Sequence, residues 1–462
     1  MPVFSTDLGA VIFAAGQGTR MRSPLPKVLH TLLEEPILRY VQRAADPLCP
    51  GRVYTLIGYG ADRVRAVFPE REGKLIIQDK QLGTGHALLT ALNALDTMKE
   101  GAPDFLLAIN GDTPLIGTDI LRDFVNHALT RQSDLSFISL TLKDTGAFGL
   151  VLRREGQVKG IIEAKDFDEK LHGPKSSEIN AGVYFFRVSA IRALLPLLCA
   201  NNKSGELYIT DLVGLALERG LVVDADNRDQ DRRLLGVNTP AELARAEEDL
   251  RALIVEQWLE AGVLLRNPGQ LRIGPDVVLE EGVDITGPCE IYGQSRVGAG
   301  TRIASHCRLH NAVLDRDVDM RSFCHVEDSH IGARCVVGPY ARLRPGARLE
   351  EDAHIGNFVE MKKSRLGKGA KANHLSYLGD AEVGAGANIG AGTITCNYDG
   401  KNKHLTRIGE RAFIGSNTAL VAPVNIGDDA LVGAGSVITR DVPEKGLGLT
   451  RTRQHNLPRL DK

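Results

Sequence analysis

The sequence predicts two folds in series, an α/β Rossmann-like domain followed by a parallel β-helix of hexapeptide repeats. Three observations lead there. At 462 residues the chain exceeds what one hydrophobic core usually covers. Its first half alternates short apolar runs with longer amphipathic stretches. Its second half returns to an aliphatic residue at every sixth position.

In the first half, "GAVIFAAG", "RVYTLIG", "KLIIQ", "DFLLAING" and "LSFISLTL" read as buried strands. "VLHTLLEEPILRYVQRAA" and "GHALLTALNALDTM" read as helices between them. That alternation argues for a mostly parallel sheet covered on both faces, with ligands at the carboxyl ends of its strands. Residues 1–238 are assigned to this domain. Residues 239–262 form a joining helix: Thr239 is its candidate cap, Pro240 suits its first turn, and Leu243, Leu250, Leu253, Ile254 and Trp258 fall near helical spacing.

Residues 263–462 hold the repeat and a C-terminal tail. Aliphatic residues fall at Ile273, Leu279, Ile285, Ile291, Val297, Ile303 and Leu309. Four residues after each comes a small or β-branched one: Val277, Val283, Cys289, Ser295, Thr301, Cys307 and Val313. The beat returns from Val337 to Ile355, at Val383 and Ile389, and most cleanly from Ile408 to Ile438. One inward residue per six is what a short strand needs when it forms one face of a coil. The rhythm stumbles near 314–330, at 361–380 and at 395–407. Insertions between coils are where polar side chains can project outward, so a site is expected at the broken hexads.

Composition excludes several classes. With 56 Lys+Arg against 58 Asp+Glu the net charge is −2, which gives no electrostatic footprint for nucleic acid or an anionic membrane. No apolar run approaches the roughly 20 residues of a transmembrane helix. The start of the chain lacks a signal-peptide pattern, so a cytoplasmic location is expected. The seven cysteines contain no C-x-x-C pair and read as reduced, mostly packed thiols.

The chemistry of the first half begins at "FAAGQGTRMRSPLPKVLH", residues 13–30. Gly16 and Gly18 let backbone N–H groups approach an anion, and Arg20 and Lys27 add positive charge. G-x-G-T-R-M followed by P-K resembles the signature of sugar-nucleotide pyrophosphorylases, and departs from dinucleotide and P-loop fingerprints. "IQDKQLGTGHA", "INGDTPL", "GIIEAKD", "EINAGVY" and "GVN" continue the resemblance. It implies a nucleotidyltransferase domain that binds Mg²⁺ through Asp112 and Asn238. Gln78, Gly83 and Thr84 match the nucleobase-reading loop. Phe13, Ala14, Ala15, Gly16, Lys27, Asn110 and Gly111 match positions along the nucleotide, and Gly149, Glu163 and Asn180 the sugar. Arg20 and Lys27 are the implied catalytic charges. Three positions depart from the pattern: Gln17 where Lys is common, Asn110 where Tyr is frequent, and Leu150 where Arg is frequent.

In the second half, "ARLRPGARL", "IGNFVEMKK" and "NHLSYLGDAEVGAGANIGAGTITCNYDGKNKH" carry a second resemblance. With the first-half motifs they are similar to the bacterial family of bifunctional N-acetylglucosamine-1-phosphate uridyltransferases/glucosamine-1-phosphate acetyltransferases, over nearly the whole chain. The family implies a left-handed β-helix, a homotrimer with the acetyl-transfer site between subunits, and four small-molecule substrates. These are glucosamine 1-phosphate, acetyl-CoA, N-acetylglucosamine 1-phosphate and UTP. His374 is the implied general base, and Glu360 the candidate to orient it. Arg344, Lys362, Tyr377, Asn388 and Lys403 match acceptor-binding positions, and Asn397 and Tyr398 lie beside the reacting groups. Ala391, Ser416, Ala434 and Arg451 match acetyl-CoA contacts. Asp399-Gly400 reads as the turn of the 395–407 loop, and His404 as a surface histidine. Two rival readings remain: a monofunctional nucleotidyltransferase whose β-helix only oligomerises or binds an effector, and a non-catalytic regulatory subunit.

Overall fold

The computed structural model describes residues 7–450 and 453–458. The chain divides into two compact units that meet between Glu248 and Asp249, inside the helix Pro240–Glu260.

In the first unit the strands run, in spatial order, Val223–Asn227, Leu135–Thr141, Glu178–Arg187, Phe105–Asn110, Leu8–Ala14, Val53–Ile57 and Leu75–Ile77. Neighbours in this order pair in parallel except at Glu178–Arg187, which runs antiparallel to both; off the order, Leu150–Arg154 pairs antiparallel with Glu178–Arg187 and with Gln157–Ile162. Alternation along each strand feeds two cores. Ile12, Leu107 and Phe185 point to one side of the sheet, and Val11, Leu106 and Phe186 to the other. Each fully buried side chain of this size contributes about 1.5–3 kcal/mol relative to exposure.

The helix expected across residues 28–45 is shorter than its pattern. A 3₁₀ turn Lys27–Leu29 and a small hairpin come first, and the α-helix covers only Ile37–Ala45. Leu33 and Glu34 take positive φ (47° and 69°), which ends any helix, and Pro36 follows them. The stretch 85–98 does form a helix, Thr84–Thr97.

The second unit is three parallel sheets of 11, 10 and 9 strands, each built from every third strand of the chain, coiled as a left-handed β-helix. The chain passes from the first face to the second, then the third, then back one rung higher. The six-residue ladder lies inside: Ile285, Ile291, Val297, Ile303 and Leu309 are all buried to 1% exposure or less. Val313 breaks the expectation. It points outward at 36% exposed, while Ala312 and Leu314 point inward. The turn from second to third face is one residue shorter there, so Leu309 is followed by Leu314 at a spacing of five. The same shortening separates Val326 from Ile331, Met361 from Leu366 and Leu378 from Val383. Two of the three stumbles are therefore tightened corners, and the 395–407 stretch alone is an insertion, between buried Thr395 and Ile408.

All seven cysteines are free thiols, and five are buried. Cys289, Cys307 and Cys324 occupy successive coils of the interior.

Candidate functional site

In the first unit two adjoining cavities, of about 450 and 300 Å³, open at the carboxyl ends of Leu8–Ala14 and Phe105–Asn110. Thr84, Asn110 and Asp112 line both. Phe13, Ala14, Ala15, Gly16, Gln17, Lys27, Gln78 and Gly83 line the larger one. Arg20, Gly149, Glu163, Asn180 and Asn238 line the smaller. Gly111 stands between Asn110 and Asp112, its N–H donating to Phe13 O (2.9 Å).

Where the cavities meet, the Lys27 ammonium donates to Asp112 Oδ2 and to Asn238 Oδ1 (3.0 Å). Gly18 makes room for it: at φ 65° it has no side chain, and a Cβ there would lie 2.6 Å from Lys27 Cβ. Asn238 is fixed from behind by a capping box. Glu242 Oε2 accepts from the N–H groups of Asn238 (2.7 Å) and Thr239 (2.9 Å), while Thr239 Oγ1 accepts from Glu242 N (3.2 Å). Val237 N donates to Asp112 O (2.8 Å), tying the two segments together. One carboxylate and one amide oxygen thus converge on a single positive charge. That donor set fits a hard divalent cation of the Mg²⁺ type, which takes few protein oxygens and completes its shell with phosphate and water. Among the described residues no cluster of three or more His, Cys, Asp or Glu forms an all-protein metal cage.

In the larger cavity Gln78 Nε2 lies 2.9 Å from His86 Nδ1, which leaves the amide oxygen for another partner. Thr84 Oγ1 accepts from Ile209 N (3.0 Å). In the smaller, Asn180 donates to Tyr184 OH (2.6 Å) and accepts from Gly182 N (3.1 Å). Glu163 accepts from Thr210 Oγ1 (3.0 Å). Burial pushes the Glu163 carboxyl above its ordinary range, and the charges of Asp211, Asp166 and Glu206 add to this while Thr210 opposes it. Sequence reasoning missed Tyr184 and Thr210. Period-two alternation from Asn180 through Gly182 would have found the tyrosine, whereas Thr210 carried no signal.

The three departures separate in space. Gln17 lines the larger cavity and Asn110 both, but Leu150 is fully buried in the core. Asn110 fills the place of a missing side chain, since a Cβ on Gly182 (φ 75°) would fall 2.0 Å from Asn110 Nδ2. Gly182→Val should therefore lower the first unit's melting temperature. The backbone costs about 1–2 kcal/mol, at about 2–4 °C each, and Asn110 is displaced as well. A thermal melt of the purified protein checks this.

In the second unit most of the predicted residues gather on the second face and its two corners. At the first corner Leu375 N donates to Asn357 O (3.1 Å), Gly392 N to His374 O (3.3 Å), Asn417 N to Ala391 O (2.7 Å) and Gly435 N to Ser416 O (2.8 Å). Asn357, His374, Ala391, Ser416 and Ala434 are thus successive rungs of one edge. Beside them runs a column that changes character. His306, Phe323, Tyr340 and Phe358 stack with ring centroids 4.7, 4.7 and 5.1 Å apart. Leu375 continues it, then Gly392, Asn417 and Gly435. The edge is aromatic below His374, and above it two glycines flank Asn417, whose side chain folds over Gly392.

The second face carries Glu360, Lys362 and Tyr377, with Glu360 and Tyr377 in register. Arg344 Nη1 donates to Glu360 Oε1 (2.8 Å). The neighbouring Lys403 ammonium, with Arg344 and Lys363 adding to it, holds Lys362 below its ordinary value. Four cations, Arg344, Lys362, Lys363 and Lys403, are therefore neighbours, as an anionic group needs. Lys403 belongs to the inserted loop, where Tyr398 and Lys403 pair in an antiparallel bridge. Asp399 turns the loop by accepting from Lys401 N (2.8 Å) and Asn402 N (2.7 Å). Asn397 is 7% exposed and donates to Asp380, while Tyr398 is 60% exposed.

Three expectations change, those for Glu360, His374 and His404. Glu360 does not touch His374: its carboxylate is engaged by Arg344, and the contact on His374 Nδ1 is Asn357 Oδ1 (2.9 Å). Glu360 and His374 lie on strands of different faces, whereas Asn357 and His374 pair directly across adjacent rungs. His374 sits at the end of a regular strand, Lys371–His374, and not in an insertion. His404 clamps the loop, with Nε2 2.7 Å from Asp399 Oδ2 and its N–H on Asn397 O (2.8 Å). Asn388 belongs to the first face, away from the Lys362 cluster. Arg451 lies outside the described residues.

Comparison with known proteins adds four matches. The family model of the MobA-like NTP transferase domain matches residues 10–151, and that of the hexapeptide repeat of succinyl-transferase matches residues 405–440. A curated protein of Nitratidesulfovibrio vulgaris (strain Miyazaki F), named Bifunctional protein GlmU, is 56% identical over 451 residues, covering 98% of each chain. Its namesake in Oleidesulfovibrio alaskensis is 56% identical over 449 residues, covering 97% of each. Among the described residues no helix is long and apolar enough to cross a membrane.

Proposed function

The chain belongs to the bifunctional GlmU family, and on that premise we propose how its two units divide the work. It is a glucosamine-1-phosphate N-acetyltransferase and a UDP-N-acetylglucosamine diphosphorylase, acting on small-molecule substrates in the synthesis of UDP-N-acetylglucosamine. The family's nucleotidyltransferase requires a divalent metal.

Uridylyl transfer is assigned to the paired cavities of the first unit. The phosphate oxygen of N-acetylglucosamine 1-phosphate attacks the α-phosphorus of UTP, and pyrophosphate leaves with the bond that breaks. Positioning and charge stabilisation dominate such chemistry. Gln78, Gly83 and Thr84 hold the base end, and Gly149, Glu163 and Asn180 the sugar. Lys27 and Arg20 meet the phosphates. The metal is Mg²⁺, held by Asp112 and Asn238; when bound it neutralises phosphate charge beside Lys27.

Acetyl transfer is assigned to the second face. His374 takes a proton from the glucosamine amine as that nitrogen attacks the thioester carbon, and the coenzyme leaves as its thiol. Arg344, Lys362 and Lys403 hold the sugar phosphate. The coenzyme runs along the small-residue part of the edge, past Ala391, Ser416 and Ala434, with Asn397 and Tyr398 near the reacting groups. The observation that carries this reading is the change from aromatic stack to glycine along one edge, with His374 at the boundary. Asn388, on a different face from Lys362, supports a homotrimer in which a second copy supplies that residue. The cytoplasm is the proposed location.

One coupled assay tests the division. Glucosamine 1-phosphate, acetyl-CoA, UTP and Mg²⁺ together should yield UDP-N-acetylglucosamine. Omitting acetyl-CoA should stop product formation, and adding N-acetylglucosamine 1-phosphate should restore it. Product without acetyl-CoA or its acetylated sugar would refute the order of steps.

A further inference from the structure

We infer that Asn357 is the positioning residue for His374, its amide oxygen accepting the Nδ1 proton so that Nε2 is left as the basic nitrogen of acetyl transfer. The inference deepens the reading of His374 as base and rests on it.

The contact is direct, 2.9 Å from Asn357 Oδ1 to His374 Nδ1. It is also held by the fold. Asn357 and His374 are the terminal residues of His354–Asn357 and Lys371–His374, adjacent rungs whose Cα atoms pair in register. The backbone bond from Leu375 N to Asn357 O locks that register immediately beyond the two side chains. An imidazole that is exposed can otherwise rotate and change tautomer freely. One acceptor on Nδ1 removes both freedoms, because the proton fixed there leaves the lone pair on the opposite nitrogen.

The charge of the partner matters as much as its place. A carboxylate on Nδ1 would favour the protonated ring and delay the appearance of the base as pH rises, whereas an amide orients the ring without that effect. The surrounding titratable groups do not substitute for it. His354 lies on the strand below and Lys371 on the strand of His374 itself. The paired strand above, Asn388–Ile389, has none. Across the corner stand Tyr377 and Glu360, the latter already bonded to Arg344. Asn357 is 17 residues from His374, one coil earlier, and only the coiling brings them together.

The test compares Asn357→Leu and Asn357→Asp with the wild-type protein. Asn357→Leu should lower kcat of acetyl transfer about tenfold or more, with KM for both substrates and the rate of uridylyl transfer unchanged. Asn357→Asp should recover most of that rate at high pH, while the acid limb of its kcat/KM profile moves up by about one pH unit. A merely structural role would not move that limb. Imidazole ¹⁵N shifts should show the His374 proton on Nδ1 in the wild-type protein and on both nitrogens in exchange in Asn357→Leu. An unshifted limb in Asn357→Asp, a wild-type kcat in Asn357→Leu, or a wild-type proton on Nε2 overturns the assignment. His374→Ala distinguishes the two claims. Acetyl transfer that survives it removes the base itself, whereas its loss beside a wild-type-like Asn357→Leu removes only the positioning role.

Discussion

His374→Ala is expected to abolish acetyl transfer within assay limits while uridylyl transfer proceeds at its wild-type rate. General base catalysis contributes on the order of 10²–10⁴-fold, and the rungs above His374 (Ala391, Ser416 and Ala434) carry no histidine or carboxylate to replace it. The side chain is exposed and makes one side-chain hydrogen bond, to Asn357. Its removal therefore costs roughly 1 kcal/mol or less of stability, so loss of activity cannot be attributed to loss of fold. Thiol release from acetyl-CoA, pyrophosphate release from UTP and a thermal melt on one preparation read all three quantities. Acetylation within threefold of wild type would place the base elsewhere.

Asp112→Ala should produce the converse pattern, a fall in uridylyl transfer of about 10³-fold or more with acetyl transfer intact. The carboxylate lies where both cavities meet and pairs with Lys27. Alanine leaves the largely buried ammonium with Asn238 alone, and the proposed cation with a single protein ligand. Added Mg²⁺ should recover little of the rate, because the lost element is a fixed charge and a fixed position, not occupancy alone. Asp112→Asn keeps the shape without the charge and should fall nearly as far. If either variant retains more than a tenth of the wild-type rate at saturating metal, the role given to Asp112 is wrong.

Much of this was legible in the residues, and the failures are instructive. The β-helix announces itself because one residue in six has no choice but to point into the axis. Its phase slips are silent, since Val313 and Leu314 are both aliphatic and either could have been the inward one. The stretch 28–45 reads as one helix because its apolar spacing continues unbroken, while the two positive-φ residues at 33 and 34 have no spacing signature. The antiparallel strand Glu178–Arg187 was known only as a motif, as nothing in a strand's own sequence states its direction. Around His374, the resemblance pointed to Glu360, 14 residues away, and the sequence carries no mark of Asn357, 17 residues away. Coil length, not charge, decides which residue is the neighbour.

The small-residue edge above His374 also acts as a ruler. Each coil advances one graduation of about 4.8 Å along the axis, so Ala391, Ser416 and Ala434 mark one, two and three graduations from the proposed base. The greatest of these is about 14 Å. A coenzyme laid along the edge is measured against that scale. On the proposed path, its length above the thioester would be matched by a count of coils, not by the shape of a pocket. Excising one whole coil between His374 and Ser416 would leave every remaining rung paired, yet shift the coenzyme's anchor by one graduation relative to the chemistry.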